Sequence, residues 1–488
     1  METRRDRLLL RPLRMLSIKG ALLDLDGLVN SDGDSDLESD ASNPDIAKVA
    51  VILREPALAC AVFSFLEGHL SFAHRILSRS IRQLLEQMPL RLRTSDGKTS
   101  HRISSYLDGA LKRGASLASF PFVRLRGAHL RSVSDGQAAL IANLIRAGIF
   151  RMSDELGLQF ATVGTQLGIE LIVEALRDSS LRSLKALSFS GSYMGDDGIT
   201  KLAAVFEAGG CSGLEHLDLS KNGFSDRGLR AIAQAVTSKA SKIELSILNV
   251  SRNNIKAQGT GFLFRRLQCK GLRSLAHLDL SSNSIPSSPF QKDLLKAIRH
   301  GCCREWVQIS LSHNPLGDEG LVPMLDELAE TDENWSCSEL THLNLAGIDA
   351  RDPSMDALSH LMAVGRLRML DTLDLSDNRI HAVGMRVLAT ALRTRSCPRL
   401  RGLNLANNLL GDDGINQLCI ALQLHGGTRL HTLNIAYNGG VHSMVHLSMV
   451  LKGKTCPELQ ILAITGNYNP DTVRVKRLFK DNPHLSLC

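Results

Sequence analysis

The sequence predicts an α/β solenoid of about twelve stacked units, with parallel strands on a concave face and helices on the convex face. Three observations predict it. First, an eleven-residue frame, L-x-x-L-x-L-x-x-N-x-L, recurs from Leu184, Leu214, Leu245, Leu275, Trp306, Leu340, Leu370, Leu400, Leu430 and Leu459. Second, the intervals between these starts are 30, 31, 30, 31, 34, 30, 30, 30 and 29 residues, a near-constant period. Third, the hydrophobic pattern within each interval switches from a period of two to a period near 3.6.

Each part of the unit has a physical reading. In "LEHLDLSKNGF" from Leu214, "LAHLDLSSNSI" from Leu275, "LDTLDLSDNRI" from Leu370 and "LRGLNLANNLL" from Leu400, apolar residues alternate as in a strand with one buried face. The asparagine that follows (Asn222, Asn253, Asn283, Asn314, Asn378, Asn408, Asn438) can bond backbone groups where the chain leaves the strand. Then "GINQLCIAL" sets Ile415, Leu418, Cys419 and Leu422 on one helical face. A single strand–turn–helix unit cannot bury that face, so units must stack.

The helix start explains a string that looks catalytic. "GDDGI" at Gly195 and again at Gly411 pairs two aspartates as a metal site would, but "SDRGL" at Ser225 and "GDEGL" at Gly317 fall at the same place in their units. Recurrence in register reads as structure. Asp412 or Asp413 is expected to cap helix amides at the positive end of the dipole, with Gly414 holding the turn close to the next unit.

These residues resemble the leucine-rich repeat family, and the 30-residue period with x-x-G-L-x-x-L-A-x-A-L helices resembles its ribonuclease-inhibitor subclass. The resemblance implies a horseshoe and a protein-binding role. Strong motifs run from Leu181 to Cys488, and weaker units extend upstream. "FPFVRLRGAHL" from Phe120 fits the frame, as do Ser153, Leu156, Leu158, Ala161 and Val163, and a fainter unit runs from Gln87 through Leu90 and Leu92. The expected organisation is a basic-then-acidic, mostly disordered segment over 1–44, a helical segment over 45–86, and a repeat domain over 87–488. The repeats are degenerate over 87–183 and regular over 184–488.

The helical segment "EPALACAVFSFLEGHLSFAHRILSRSIRQLL" looks like an F-box through Val62, Phe63, Phe65, Leu66, Leu70, Ala73, Leu77, Ser78 and Arg79. That resemblance implies a ubiquitin-ligase adaptor as partner, bound through Phe63, Phe65, Leu66 and Leu70. It departs from the family where "LREPAL" replaces the Leu-Pro opening and Ile81 the customary tryptophan. The other reading is a cap over the first repeat's core.

Composition narrows the function. Aromatics are only 4% and no basic stripe interleaves with them, so nucleic acid is not an expected partner. No apolar run approaches twenty residues, so no membrane span is expected. The ten cysteines fit a reducing compartment, the cytoplasm or the nucleus. Gly20 to Ala47 holds eight acids and no Lys or Arg; Ser31 and Ser35, each three residues before an acid, suit an acid-directed kinase. "LLDLDGLVN" resembles a haloacid-dehalogenase nucleophile loop but runs into that acidic stretch rather than a doubly wound domain. The stretch is not a calcium loop, because Leu37 and Asn43 stand where Gly and Glu are required, and "SDGKTS" lacks the first glycine of a phosphate loop.

Four groups are candidate sites. The column between the last two strand leucines reads Ser188, Asp218, Asn249, Asp279, Ser310, Asn344, Asp374, Asn404, Asn434, Ala463. It forms either a ladder that satisfies itself or a mildly acidic groove for a partner's polar or basic surface. His216, His277 and His342 share another concave position but never in adjacent units, about 10 Å apart at best, so no shared metal is expected. Cys211, Cys303, Cys337, Cys397 and Cys456 each precede a frame start by three residues, a slot for small buried side chains rather than a zinc site. The long Trp306 unit places Glu330, Asp332, Glu333 and Trp335 on a rim, where insertions often mark contacts. No metal, cofactor or catalytic residue is expected. The readings are a non-enzymatic scaffold or regulator, an F-box-type substrate receptor, or a Ran-type GTPase activator. The last rests on similar repeats in that family, whose acidic tail follows them instead.

Overall fold

The computed structural model describes residues 127–133, 135–146, 155–160, 166–178, 181–288, 290–331, 337–426, 429–439, 446–447, 450, 456–467 and 486–487. The chain divides at Leu90/Arg91, and every described residue belongs to the second unit. The calls on Ser31, Ser35, Phe63, Phe65, Leu66, Leu70, Asp332, Glu333 and Trp335, and on the Gln87 unit, lie outside the described residues.

Strand and helix alternate throughout: β1 Gly127–Val133, α1 Asp135–Arg146, β2 Glu155–Phe160, α2 Gln166–Asp178, β3 Ala186–Ser188, α3 Gly195–Glu207, β4 His216–Asp218, α4 Asp226–Val236, β5 Ile247–Asn249, α5 Ala257–Arg266, β6 His277–Asp279, α6 Phe290–Arg299 and β7 Gln308–Ser310. They continue with α7 Gly317–Glu330, β8 His342–Asn344, α8 Asp352–Ala363, β9 Thr372–Asp374, α9 Ala382–Arg393, β10 Gly402–Asn404, α10 Gly411–Ala421, β11 Thr432–Asn434, β12 Ile461–Ala463 and β13 Ser486–Leu487. The described strands form one parallel sheet in strict chain order, β1 to β13. Strands pack about 4.8 Å apart and helices about 8–10 Å apart, so the solenoid must curve with the sheet on its inner side. No helix among the described residues is long and apolar enough to cross a membrane.

The frame does what its spacing predicts. Leu214, Leu217 and Leu219, the three frame leucines of one repeat, are fully buried, and α3 buries Ile199, Leu202, Ala203 and Phe206 at helical spacing against them. In α10 the expected face is buried too: Ile415, Leu418, Cys419 and Leu422. Each such aliphatic contributes about 1.5–3 kcal/mol of burial, and together they form one continuous core along the described repeats.

Two registers differ from expectation. Ala128 pairs with Leu156, and Leu156 with Leu187, so the Ser153 frame holds but the first described strand begins five residues later than the Phe120 frame implies. Phe120, Val123 and Leu125 imitate frame leucines, and apolar spacing alone cannot choose between overlapping frames. Beyond the tenth regular unit, β13 adds a strand at Ser486–Leu487, where Leu487 alone carries the frame.

Candidate functional site

The concave surface is built from frame positions three and five, whose side chains alternate with the buried leucines. The position-five column is in register along the sheet: Ser188 pairs with Asp218, Asp218 with Asn249, Asn249 with Asp279, and so on through Asn344, Asp374, Asn404 and Asn434 to Ala463. No two aspartates are adjacent, as like-charge repulsion on neighbouring strands requires. Among the described positions three and five of β3 to β12 there are three acids, Asp218, Asp279 and Asp374, and no Lys or Arg.

These side chains do not chiefly bond one another. The lateral contact is Ser188 Oγ donating to Asp218 Oδ2 at 3.1 Å. Elsewhere one oxygen turns back on its own strand exit. Asp218 Oδ1 accepts from the Ser220 amide at 3.0 Å, Asn249 Oδ1 from Ser251 at 3.0 Å, Asp279 Oδ1 from Ser281 at 2.9 Å, and Asp374 Oδ1 from Ser376 at 3.0 Å. Asn344, Asn404 and Asn434 do the same for Ala346, Ala406 and Ala436. These are Asx turns; they fix the direction of side chains whose residues stay half-buried.

His216, His277 and His342 occupy alternate strands, separated by Ile247 and Gln308. His277 Nδ1 lies 3.4 Å from Gln308 Oε1, and His342 Nδ1 lies 2.7 Å from Thr341 Oγ1. No group of three or more His, Cys, Asp or Glu among the described residues is placed to hold a metal ion.

The asparagine at position nine is a different object. Asn253 is buried; its Nδ2 donates to Val250 O at 2.9 Å, Ser251 O at 3.1 Å and Leu219 O of the preceding repeat at 3.1 Å, while its Oδ1 accepts from the Asn222 amide at 2.9 Å. Similar bonds recur at Asn222, Asn283, Asn314, Asn378, Asn408 and Asn438. Amide and carbonyl together staple each turn to the one before.

The staple is broken once inside the regular array. Ile348 stands where asparagine is expected, and the Leu316 amide donates instead to Asn314 O of its own turn at 2.8 Å. Beside it Gly347 sits at φ +62°, where a Cβ would collide with the His313 ring. The missing asparagine coincides with a rim groove of about 730 Å³ bordered by His313, Pro315, Asp349, Asp377, Arg379 and Leu409. Arg379 Nε bonds Asp349 Oδ1 at 2.8 Å across it. Sequence reading passed over this groove; the missing asparagine in "LNLAGIDA" was its signal.

The helix-start aspartates act one repeat further on than expected. No side chain caps α3 or α10 at its own N-cap residue, Met194 or Leu410. Instead Asp196 Oδ1 accepts from the Ser225 and Gly228 amides at 2.9 and 2.8 Å, capping α4 of the next repeat. Asp226, Asp318 and Asp352 likewise accept from Lys256, Arg351 and His381. At Gly228 a Cβ would lie 2.9 Å from Asp196 Oδ1, so glycine is what lets that carboxylate in.

Cys211, Cys303, Cys337, Cys397 and Cys456 are buried, and Leu181, Leu272 and Leu367 fill the same slot in other repeats. The slot therefore takes any compact apolar group. Burial pushes the thiols of Cys211, Cys337 and Cys397 up to about 12, which keeps them protonated and unreactive at neutral pH. At the long unit, Glu330 is exposed at the end of α7, and Arg366 Nη2 ties the following turn by donating to Thr331 O at 2.6 Å.

Comparison with known proteins agrees with this geometry. The leucine-rich repeat family model matches residues 210–233, 307–325 and 366–389. Ribonuclease inhibitor of Mus musculus is 25% identical over 256 residues, 47% of this chain and 53% of that protein. NACHT, LRR and PYD domains-containing protein 5 of Homo sapiens is 27% identical over 215 residues, 44% of this chain and 17% of that protein. The chain thus spans about half of the first relative and under a fifth of the second. Among solved structures, an internalin of Listeria monocytogenes aligns with TM-score 0.44 and 15% identity, covering 79% of this chain and 93% of that one.

Proposed function

From a chain that is a leucine-rich repeat protein similar to ribonuclease inhibitor, we infer a non-enzymatic scaffold or regulator that binds a partner protein across its concave sheet and the adjoining rim. One observation carries the reading. Apart from the buried Ser310, the position-five column from Asp218 to Asn434 offers partly exposed amide and carboxylate groups, held in direction by Asx turns and unmixed with cations at positions three and five. Pre-set polar groups in a concave, weakly acidic surface suit a polar or basic partner surface. His216, His277 and His342 extend the same surface, and the Asp349–Arg379 groove lies on its rim. One of the relatives, ribonuclease inhibitor, is by name an inhibitor of a protein, which fits binding rather than catalysis. The test is triple charge reversal, Asp218→Lys, Asp279→Lys and Asp374→Lys. Partners retained by the wild-type chain should be lost while thermal stability stays close to wild type. Retention undiminished by the reversal sinks the reading.

The F-box-like run through Phe63, Phe65 and Leu66 supports a second reading, a substrate receptor whose repeats hold the substrate. Co-purification with a cullin adaptor, abolished by Phe63→Ala with Phe65→Ala, would support it; a full chain that never retains the adaptor removes it.

A further inference from the structure

The helix face carries its charge in two blocks. Helices α4, α5 and α6 hold seven Lys and Arg residues against two acids, Asp226 and Asp293, a net of +5. The next two helices, α7 and α8, hold seven acids and no Lys or Arg, a net of −7. The sign changes between adjacent helices.

At the boundary the blocks neutralise each other, since Arg299 makes two bonds to Glu327, at 2.8 and 2.6 Å. Away from it they do not. Arg230, Arg265 and Arg266 place their guanidinium groups 5.4, 5.8 and 5.2 Å from the centre of the Phe262 ring, and of the three only Arg265 has an acidic partner among the described residues, Asp293. Lys292 and Lys296 on α6 are exposed with no ion pair among the described residues, as are Glu330 on α7 and Asp356 on α8. Like charges gathered this way repel one another, and an opposed surface of the other sign relieves both blocks.

We propose that the helix face docks on the helix face of a second copy of this chain, about a two-fold axis lying along the α6–α7 boundary. Rotation about an axis parallel to the helices reverses the direction of the solenoid, so α6 and α5 of each copy face α7 and α8 of the other. Both opposed contacts are then attractive. An unrelated acidic or basic partner large enough to cover the step would meet one block that attracts it and one that repels it; a second copy meets two that attract. Four helices about 9 Å apart and about 15 Å long offer roughly 500 Å² per copy, the low end for a specific contact. The dimer is therefore weak and salt-sensitive, and it leaves the concave sheet free, so it stands or falls independently of the partner-binding reading.

The experiment is sedimentation velocity on the full chain over a concentration series at about 0.05 M and about 0.5 M salt. The weight-average mass should climb toward twice the monomer at low salt and remain monomeric at high salt. Lys292→Glu with Lys296→Glu should give a monomer, as should Glu330→Lys with Asp356→Lys. All four side chains are exposed, and unchanged melting temperatures confirm folding. Mixing the two variants should restore the dimer, because one of the two contacts is then wild type on both sides, and in the other the introduced acids of one variant meet the introduced lysines of its partner. A wild-type chain monomeric at both salts overturns the proposal. So does a dimer that salt does not weaken, or a mixture of folded variants that stays monomeric.

Discussion

Asn249 and Asn253 are the same residue type four positions apart in one repeat, and they hold opposite jobs. Asn253 is buried with four bonds, two of them to the preceding repeat, whereas Asn249 is half-exposed and uses its oxygen on its own strand exit. The contrast recurs along the described repeats, with exceptions at Ile348 in position nine and at the buried Ser310 and Ala463 in position five. Position nine makes the repeats cohere, and position five presents a surface. Stability and recognition can therefore change separately, because they sit on different columns of one frame.

The largest expected effect tests the buried column. Asn253→Ala leaves the Asn222 amide without its acceptor in a dry turn, while Leu219 O and Val250 O each keep one asparagine donor, Asn222 and Asn283. At about 1–3 kcal/mol for a buried unsatisfied group, the loss should be on the order of 2–3 kcal/mol, read as a fall in the urea midpoint. Asn249→Ala should cost about 1 kcal/mol or less, because its bonds go to Ser251 of its own strand exit rather than across to another repeat. Equal losses for the two would erase the distinction between columns.

Next comes the cap that crosses between repeats. Asp196→Ala removes the acceptor for two amides of α4 and should cost about 1–2 kcal/mol. Hydrogen exchange should rise first at Ser225 and Gly228, in the following repeat; a rise confined to the first turn of α3 would contradict the inter-repeat assignment.

The cysteine slot gives a smaller, pH-dependent check on burial. Thiols in the unfolded chain ionise near 9.0, whereas Cys211, Cys337 and Cys397 are pushed up to about 12 by burial. The stability they lend is complete below pH 9 and is lost as pH rises toward 12. A melting temperature that stays level from pH 9 to 11 would show that these thiols reach water. Smallest of all, His277→Ala should shift stability by under about 0.5 kcal/mol, its effect being confined to partner binding.

Much of this was legible in the sequence because the leucine frame fixes strand position, facing and register together. Pairing of Leu217 with Leu248, and of Leu248 with Leu278, follows directly from the 30-residue count. What was not legible depends on contacts between repeats. "GDDG" shows an aspartate at a helix start, but not that Asp196 reaches across to Ser225, since that depends on how closely Gly228 lets two repeats approach. The Phe120 frame failed where several apolar residues competed for the same slots. The two charge blocks were present as letters, and became a surface only once the helices were set side by side in order.

The central claim is that the concave sheet, not the helix face, receives the partner. A photo-crosslinking amino acid placed singly at His277, Thr372, Thr390 and Ile420 of the full chain, followed by identification of covalent adducts, tests it most directly. The account predicts a shared protein adduct from His277 and Thr372, on the sheet, and none of that species from Thr390 and Ile420, on α9 and α10. The same adduct from the helix positions with none from the sheet would contradict it.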